Sequence, residues 1–231
     1  MVVGSTLLLG FATLNKYSLK ENDTLVFLGD SITSQGVKPK GYVTLVSESI
    51  QATYPELNVK VVGAGVSGNK VSDCQKRLER DVLQKDPTIV VIYIGINDVW
   101  HWTHPMVVKR GGVGTTREDF ENGLLDIIKK INGIGARVIL CTTTVIGEKT
   151  DGTNLQDSML DEYAEISRKV ANKTGSQLLD LRTAFIDYLK EQNKKNANQG
   201  ILTVDGVHLN KTGNRFLAGL VLDSLNVPQR N

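Results

Sequence analysis

The chain predicts an α/β fold, a three-layer α/β/α sandwich around a central parallel sheet. Three observations carry that expectation. Short β-rich runs alternate with longer amphipathic stretches, the pattern of right-handed strand–helix–strand crossovers. The run Ile89-Val90-Val91-Ile92-Tyr93-Ile94 is apolar or aromatic at every position, which suits a strand buried on both faces. A length of 231 residues, 40% hydrophobic and 23% charged, is enough for one domain with a sizeable core and shows no sign of disorder.

The first strand is expected over 24–28, Thr-Leu-Val-Phe-Leu, followed by a helical pattern over 41–54. A second strand over 58–62 leads to a helix over 71–85, and the apolar run over 88–94 makes the third strand. The longest loop region spans 99–115, after which helical periodicity returns over 116–132. The fourth strand falls at 137–142, the next helix at 155–172, the fifth strand at 176–181 and a further helix at 182–194. The final helix, 211–225, has Asn210 or Thr212 as its candidate cap. No repeat, low-complexity linker or composition shift divides the chain. Residues 1–231 are therefore expected to form a single domain, with 1–22 as an N-terminal extension.

Composition excludes several function classes. A net charge of +2 and the absence of Lys/Arg clusters with interleaved aromatics argue against nucleic acid as a partner, and Lys194 and Lys195 read as a solvated helix end. Cys74, in an expected helix, and Cys141, in an expected strand, lack metal-ligand spacing and read as buried packing residues. His101, His104 and His208 are too scattered for a zinc site, so no metal is expected. The N-terminal run Leu7-Leu8-Leu9-Gly10-Phe11-Ala12 is too short to span a bilayer, so stable membrane insertion is not expected. Residues 1–6 contain no Lys or Arg, unlike the start of an export signal. A segment packed on the domain and the remnant of a shortened signal fit this run equally, which leaves a cytoplasmic location and export with signal removal both open.

Chemistry-bearing residues gather in the segments that follow strands. Ser31, in Gly29-Asp30-Ser31-Ile32-Thr33, stands where the chain leaves the first strand, a position that exposes a hydroxyl; Asp30 reads as the turn or capping residue that holds it. Gly63-Ala64-Gly65-Val66-Ser67-Gly68 follows the expected second strand, and Asn97 follows the third. In an open α/β sheet these loops meet at one edge, outside the carboxyl ends of the strands. Asp205 and His208 stand three residues apart before the last helix, a spacing that lets the carboxylate orient one ring nitrogen while the other faces a serine. An ordinary histidine titrates near pH ~6.5, so an activity limb is expected in that region. Asn97 and the backbone N–H of Gly68 are candidate donors to an oxyanion.

The run 63–68 also matches Gly-x-Gly-x-x-Gly, so nucleotide binding is a competing reading. It lacks a well-placed acidic residue, since Asp86 precedes the third strand and Asp98 lies beyond Asn97, and it leaves Ser31, Asp205 and His208 unused.

Taken together, the blocks around Ser31, Gly68, Asn97 and Asp205/His208 resemble those of the SGNH hydrolases, the GDSL esterase/lipase family, in the family's order and across most of the chain. The resemblance implies a flavodoxin-like sandwich and an acyl-serine mechanism without metal or cofactor. It makes Ser31 the nucleophile, Asp205 and His208 its partners, and the Ser31 N–H, Gly68 and Asn97 the oxyanion donors. Two departures stand out. Ile32 replaces the leucine of the family's name, and Gly63 stands where many members carry an asparagine, which puts the side-chain anchoring of that loop in question.

The family includes carbohydrate acetylesterases, short-chain esterases, lysophospholipases and thioesterases. Trp100, His101 and Trp102, with the nearby His104, form a candidate polar-aromatic substrate rim in the 99–115 loop, and no continuous apolar helix suggests a lid for long acyl chains there. The expected substrate is a small-molecule or carbohydrate ester of a short acyl group, acetyl above all. A non-catalytic binding domain with the same fold is the reading from another class.

Overall fold

The computed structural model describes residues 18–228. Both the apolar run at 7–12 and most of the expected N-terminal extension lie outside the described residues. What is described of that extension packs on the domain: Leu19 covers the core and the Ser18 carbonyl accepts from Arg137 Nη1 at 3.4 Å.

Five strands form one parallel sheet in the order β2-β1-β3-β4-β5: β1 (Thr24–Gly29), β2 (Lys60–Gly65), β3 (Ile89–Tyr93), β4 (Arg137–Cys141) and β5 (Gln177–Leu179). This order matches the doubly wound flavodoxin-like arrangement, whose topological switch point lies between β1 and β3. β3 is buried along its whole length, as its unbroken apolar run requires, whereas the edge strand β2 is mostly half-exposed. Helices flank the sheet in two layers. In one, α2 (Tyr42–Thr53) packs on α9 (Lys211–Ser224), whose Phe216 ring meets Phe185 and Tyr188 of α8 (Leu181–Gln192). The other consists of α3 (Val71–Asp81), α6 (Arg117–Gly133) and α7 (Asp157–Thr174).

Local chemistry sets the helix ends. Thr116 caps α6 through the Asp119 N–H, Asp180 caps α8 through Thr183, and Asn210, rather than Thr212, caps α9 through Gly213. Three differences from the sequence expectations are seen. The strand expected at 58–62 runs on to Gly65, so Gly63, Ala64 and Gly65 are paired strand residues and not a phosphate-cradling loop. Three short helices appear where periodicity had too few residues to register: α1 (Ser31–Gly36), α4 (Ile96–Trp100) and α5 (Pro105–Lys109), the last of these inside the expected long loop. The helix expected to reach residue 85 ends at Asp81, with a separate 3-10 turn over Leu83–Lys85.

Candidate active site

Where the chain leaves β1, Asp30 caps α1: its Oδ1 accepts from the Ile32 N–H at 2.9 Å and its carbonyl from the Ser34 N–H. Ser31 is thereby the first helical residue, and its Oγ lies 2.9 Å from His208 Nε2. His208 Nδ1 lies 2.7 Å from Asp205 Oδ2. A carboxylate only accepts, so Nδ1 carries the proton and Nε2 is left to accept from the serine hydroxyl. The other oxygen, Asp205 Oδ1, accepts from the N–H groups of Val207 at 3.0 Å and His208 at 2.8 Å. Partial burial pushes the Asp205 carboxyl up, but these bonds from His208 and Val207 outweigh it and hold the group below its usual range.

The segment that carries this pair is pinned from below. Glu148 is fully buried, and its carboxylate accepts from the N–H groups of Ile201, Leu202 and Thr203 and from the Thr203 hydroxyl, all at 2.6–2.7 Å. The Thr203 oxygen in turn accepts from Gly206 N–H, Gly147 N–H reaches the Gly206 carbonyl, and Val204 N–H closes on the His208 carbonyl at 2.8 Å.

Gly68 and Asn97 belong to the same sheet edge. The end of β2 lies against α1 so closely that a Cβ on Gly65 would fall 2.2 Å from Ser34 N, and one on Gly63 would fall 2.1 Å from a Val37 methyl. An asparagine at 63 would require the exposed Val37 side chain to turn aside. The turn after β2 is anchored instead by Asn69, whose Oδ1 accepts from Arg77 Nε at 2.6 Å while its carbonyl accepts from Asn97 Nδ2 at 3.1 Å. The N–H groups of Ser31 and Gly68 have no acceptor among the described residues. They remain available to a ligand.

Two carboxyls are buried beneath this edge. Burial pushes Asp30 up to about 7, with the Ile32 N–H opposing and the nearby Asp98 adding to the shift. Burial likewise raises Asp98 to about 6, against hydrogen bonds from Thr115 and the Val71 N–H at the start of α3. Among the described residues no group of three or more His, Cys, Asp or Glu side chains is arranged to hold a metal ion, and no helix is long and apolar enough to cross a membrane.

The expected aromatic rim divides. Trp100 lines a cavity of about 230 Å³ together with Asp205, Val207, Asn154, Gln156 and Asn198. Trp102 instead faces a separate cleft lined by Lys70, Gln75, Val113 and Asp126, its Nε1 donating to the Thr115 carbonyl. His101 is half-buried, and burial with the neighbouring Lys70 charge lowers its pKa. His104 packs edge-on against Trp100 with ring centroids 4.6 Å apart. Sequence reasoning missed Asn69, Arg77 and Glu148. An arginine on an amphipathic helix and a glutamate in a loop both read as solvated, and only their burial distinguishes them.

Comparison with known proteins gives the family. The model of the GDSL-like Lipase/Acylhydrolase family matches residues 27–216. An acetylxylan esterase of Geobacillus stearothermophilus is 34% identical over 210 residues, which is 85% of this chain and 90% of that protein. The isoamyl acetate-hydrolyzing esterase 1 homolog of Rattus norvegicus is 23% identical over 205 residues, 84% of this chain and 77% of that one. Among solved structures, the acetyl xylan esterase AlAXEase superposes with a TM-score of 0.82 at 40% identity, covering 87% of this chain and 99% of that one.

Proposed function

The chain belongs to the GDSL-like lipase/acylhydrolase family and is a carboxylic ester hydrolase, and from that premise we propose that it removes acetyl groups from carbohydrate esters with Ser31 as nucleophile. The observation that carries this reading is the unbroken chain of hydrogen bonds from Ser31 Oγ through the His208 ring to Asp205. Support for the acyl group comes from two relatives whose names share acetate but differ in the alcohol, xylan in one and isoamyl alcohol in the other. The alcohol side is supported by the Trp100 cavity beside Asp205, where side-chain amides of Asn154, Gln156 and Asn198 accompany an indole. That mixture suits the hydroxyls and apolar face of a sugar ring.

In this mechanism His208 Nε2 takes the Ser31 proton as Oγ attacks the acetyl carbon. The carbonyl oxygen becomes an oxyanion that accepts from the N–H groups of Ser31 and Gly68 and the amide of Asn97. Asp205, kept ionised, stabilises the imidazolium, which then protonates the departing sugar oxygen. Water attacks the acetyl-serine by the same route and releases acetate.

Ser31→Ala should lower kcat on acetylated xylo-oligosaccharides and p-nitrophenyl acetate by about 10,000-fold or more with the fold intact by circular dichroism. Wild-type preference for palmitoyl over acetyl esters, or full activity in Ser31→Ala, would contradict this reading.

A further inference from the structure

Arg77 lies on the inner face of α3 and is only 8% exposed. The carboxylate it touches, Asp81, is 3.3 Å away at the solvent edge and is shared with Arg80. Its remaining donors run inward to neutral acceptors: Nη1 to the Ala64 carbonyl at 2.8 Å, Nη2 to the Gly29 carbonyl at 2.7 Å and Nε to Asn69 Oδ1 at 2.6 Å. Taking a guanidinium out of water is costly, and an apolar side chain of similar volume would fill the space without that penalty. What an arginine adds is a planar fork that holds several acceptors in fixed mutual geometry.

All three acceptors border the site. Gly29 precedes Ser31 by two residues, Ala64 lies at the end of β2, and Asn69 follows Gly68. Asn69 relays the constraint, because its side chain is held by Arg77 while its carbonyl holds one N–H of the Asn97 amide. Asn97 Nδ2 also makes a long 3.5 Å hydrogen bond to Asp30 Oδ2, at the outer limit of distance and weak enough to yield to a stronger acceptor.

We propose that Arg77 is a positioning residue for acyl transfer: through Asn69 it aims the Gly68 N–H and the Asn97 amide at the point where the oxygen of the tetrahedral intermediate forms. This rests on the oxyanion reading of Ser31, Gly68 and Asn97 given above. A misaimed donor costs transition-state stabilisation and little ground-state binding, because the oxyanion exists only after attack.

The test compares Arg77→Lys, which keeps a cation but loses the fork, with Asn69→Ala, which removes the relay at the surface of the turn. Each is assayed on p-nitrophenyl acetate and against a trifluoromethyl ketone, whose adduct on Ser31 carries the same oxyanion. Both variants should lose about 10–100-fold in kcat with KM within about threefold, and the ketone should bind more weakly in proportion to the loss in kcat/KM. The double variant should be no worse than the poorer single one, since both break one relay. Asp81→Asn, which leaves the three inward bonds in place, should keep wild-type turnover.

A kcat within about threefold of wild type in either variant, a loss carried by KM, or additive losses in the double variant overturns the proposal. If Arg77→Lys does not fold, Asn69→Ala decides alone. Ser31→Ala separates the two levels: with it inactive and Asn69→Ala unimpaired, only the role of Arg77 falls, whereas an active Ser31→Ala removes the reading beneath it.

Discussion

Gly68 holds φ at +78°, and a Cβ built on it would meet nothing within 4 Å. Glycine is required there by backbone conformation and not by space. Gly68→Ala should therefore destabilise the fold by about 1–2 kcal/mol, the cost of the left-handed region for an L side chain, measurable by urea unfolding. Its N–H should also tilt, so kcat should fall while KM stays near wild type. Asn97→Ala removes a donor outright and should cost about 3–4 kcal/mol of transition-state stabilisation in kcat. A steady-state comparison with wild type on p-nitrophenyl acetate checks both. Ser31, Asn97, Asp205 and His208 were legible because their side chains bear chemistry and fall just beyond strands or before the last helix. Asn69 and Arg77 were not, since nothing in the local pattern marks an arginine three residues after Cys74 as buried.

Among the elements, the 201–208 segment depends on a residue more than fifty positions earlier in the chain. Glu148→Ala would leave three N–H groups and a hydroxyl without their acceptor in a buried site. An expected loss of about 3–5 kcal/mol should appear in denaturant unfolding. Residual folded enzyme should turn over slowly, because Asp205 and His208 lose their base. Wild-type stability in that variant would mean that the segment holds itself. The glycine-rich end of β2 shows the limit of local reading. Glycine disfavours strands on its own, but Gly65 pairs with Gly29 of β1, and the α1 backbone approaches it so closely that no side chain fits at that position. α1, α4 and α5 are each too short for a periodic signal, and tertiary contacts hold them.

For the whole molecule, the buried carboxyls predict an unusual pH dependence. Unfolded, Asp30 and Asp98 would titrate near pH ~4; folded, they do so at about 7 and about 6. Between those limits the native state holds protons that the unfolded chain has released, so their contribution to stability falls as pH rises. Asp205, whose folded pKa is lowered, acts in the opposite sense and loses its contribution on acidification below its ordinary range. Asp30→Asn should accordingly gain in Tm relative to wild type between about pH 5 and 8; a difference independent of pH would count against a raised Asp30. By itself the sequence determined the α/β class, the succession of strands and helices along the chain, and the resemblance that names the chemistry, because alternating periodicity and reactive side chains beyond strand ends are local properties. Only the tertiary structure decided which charges are buried, that Arg77 holds the Asn69 side chain and Glu148 the backbone of 201–203, and that Trp100 but not Trp102 adjoins Asp205. Burial and aim arise where distant segments pack against one another, and no window of neighbouring residues contains them.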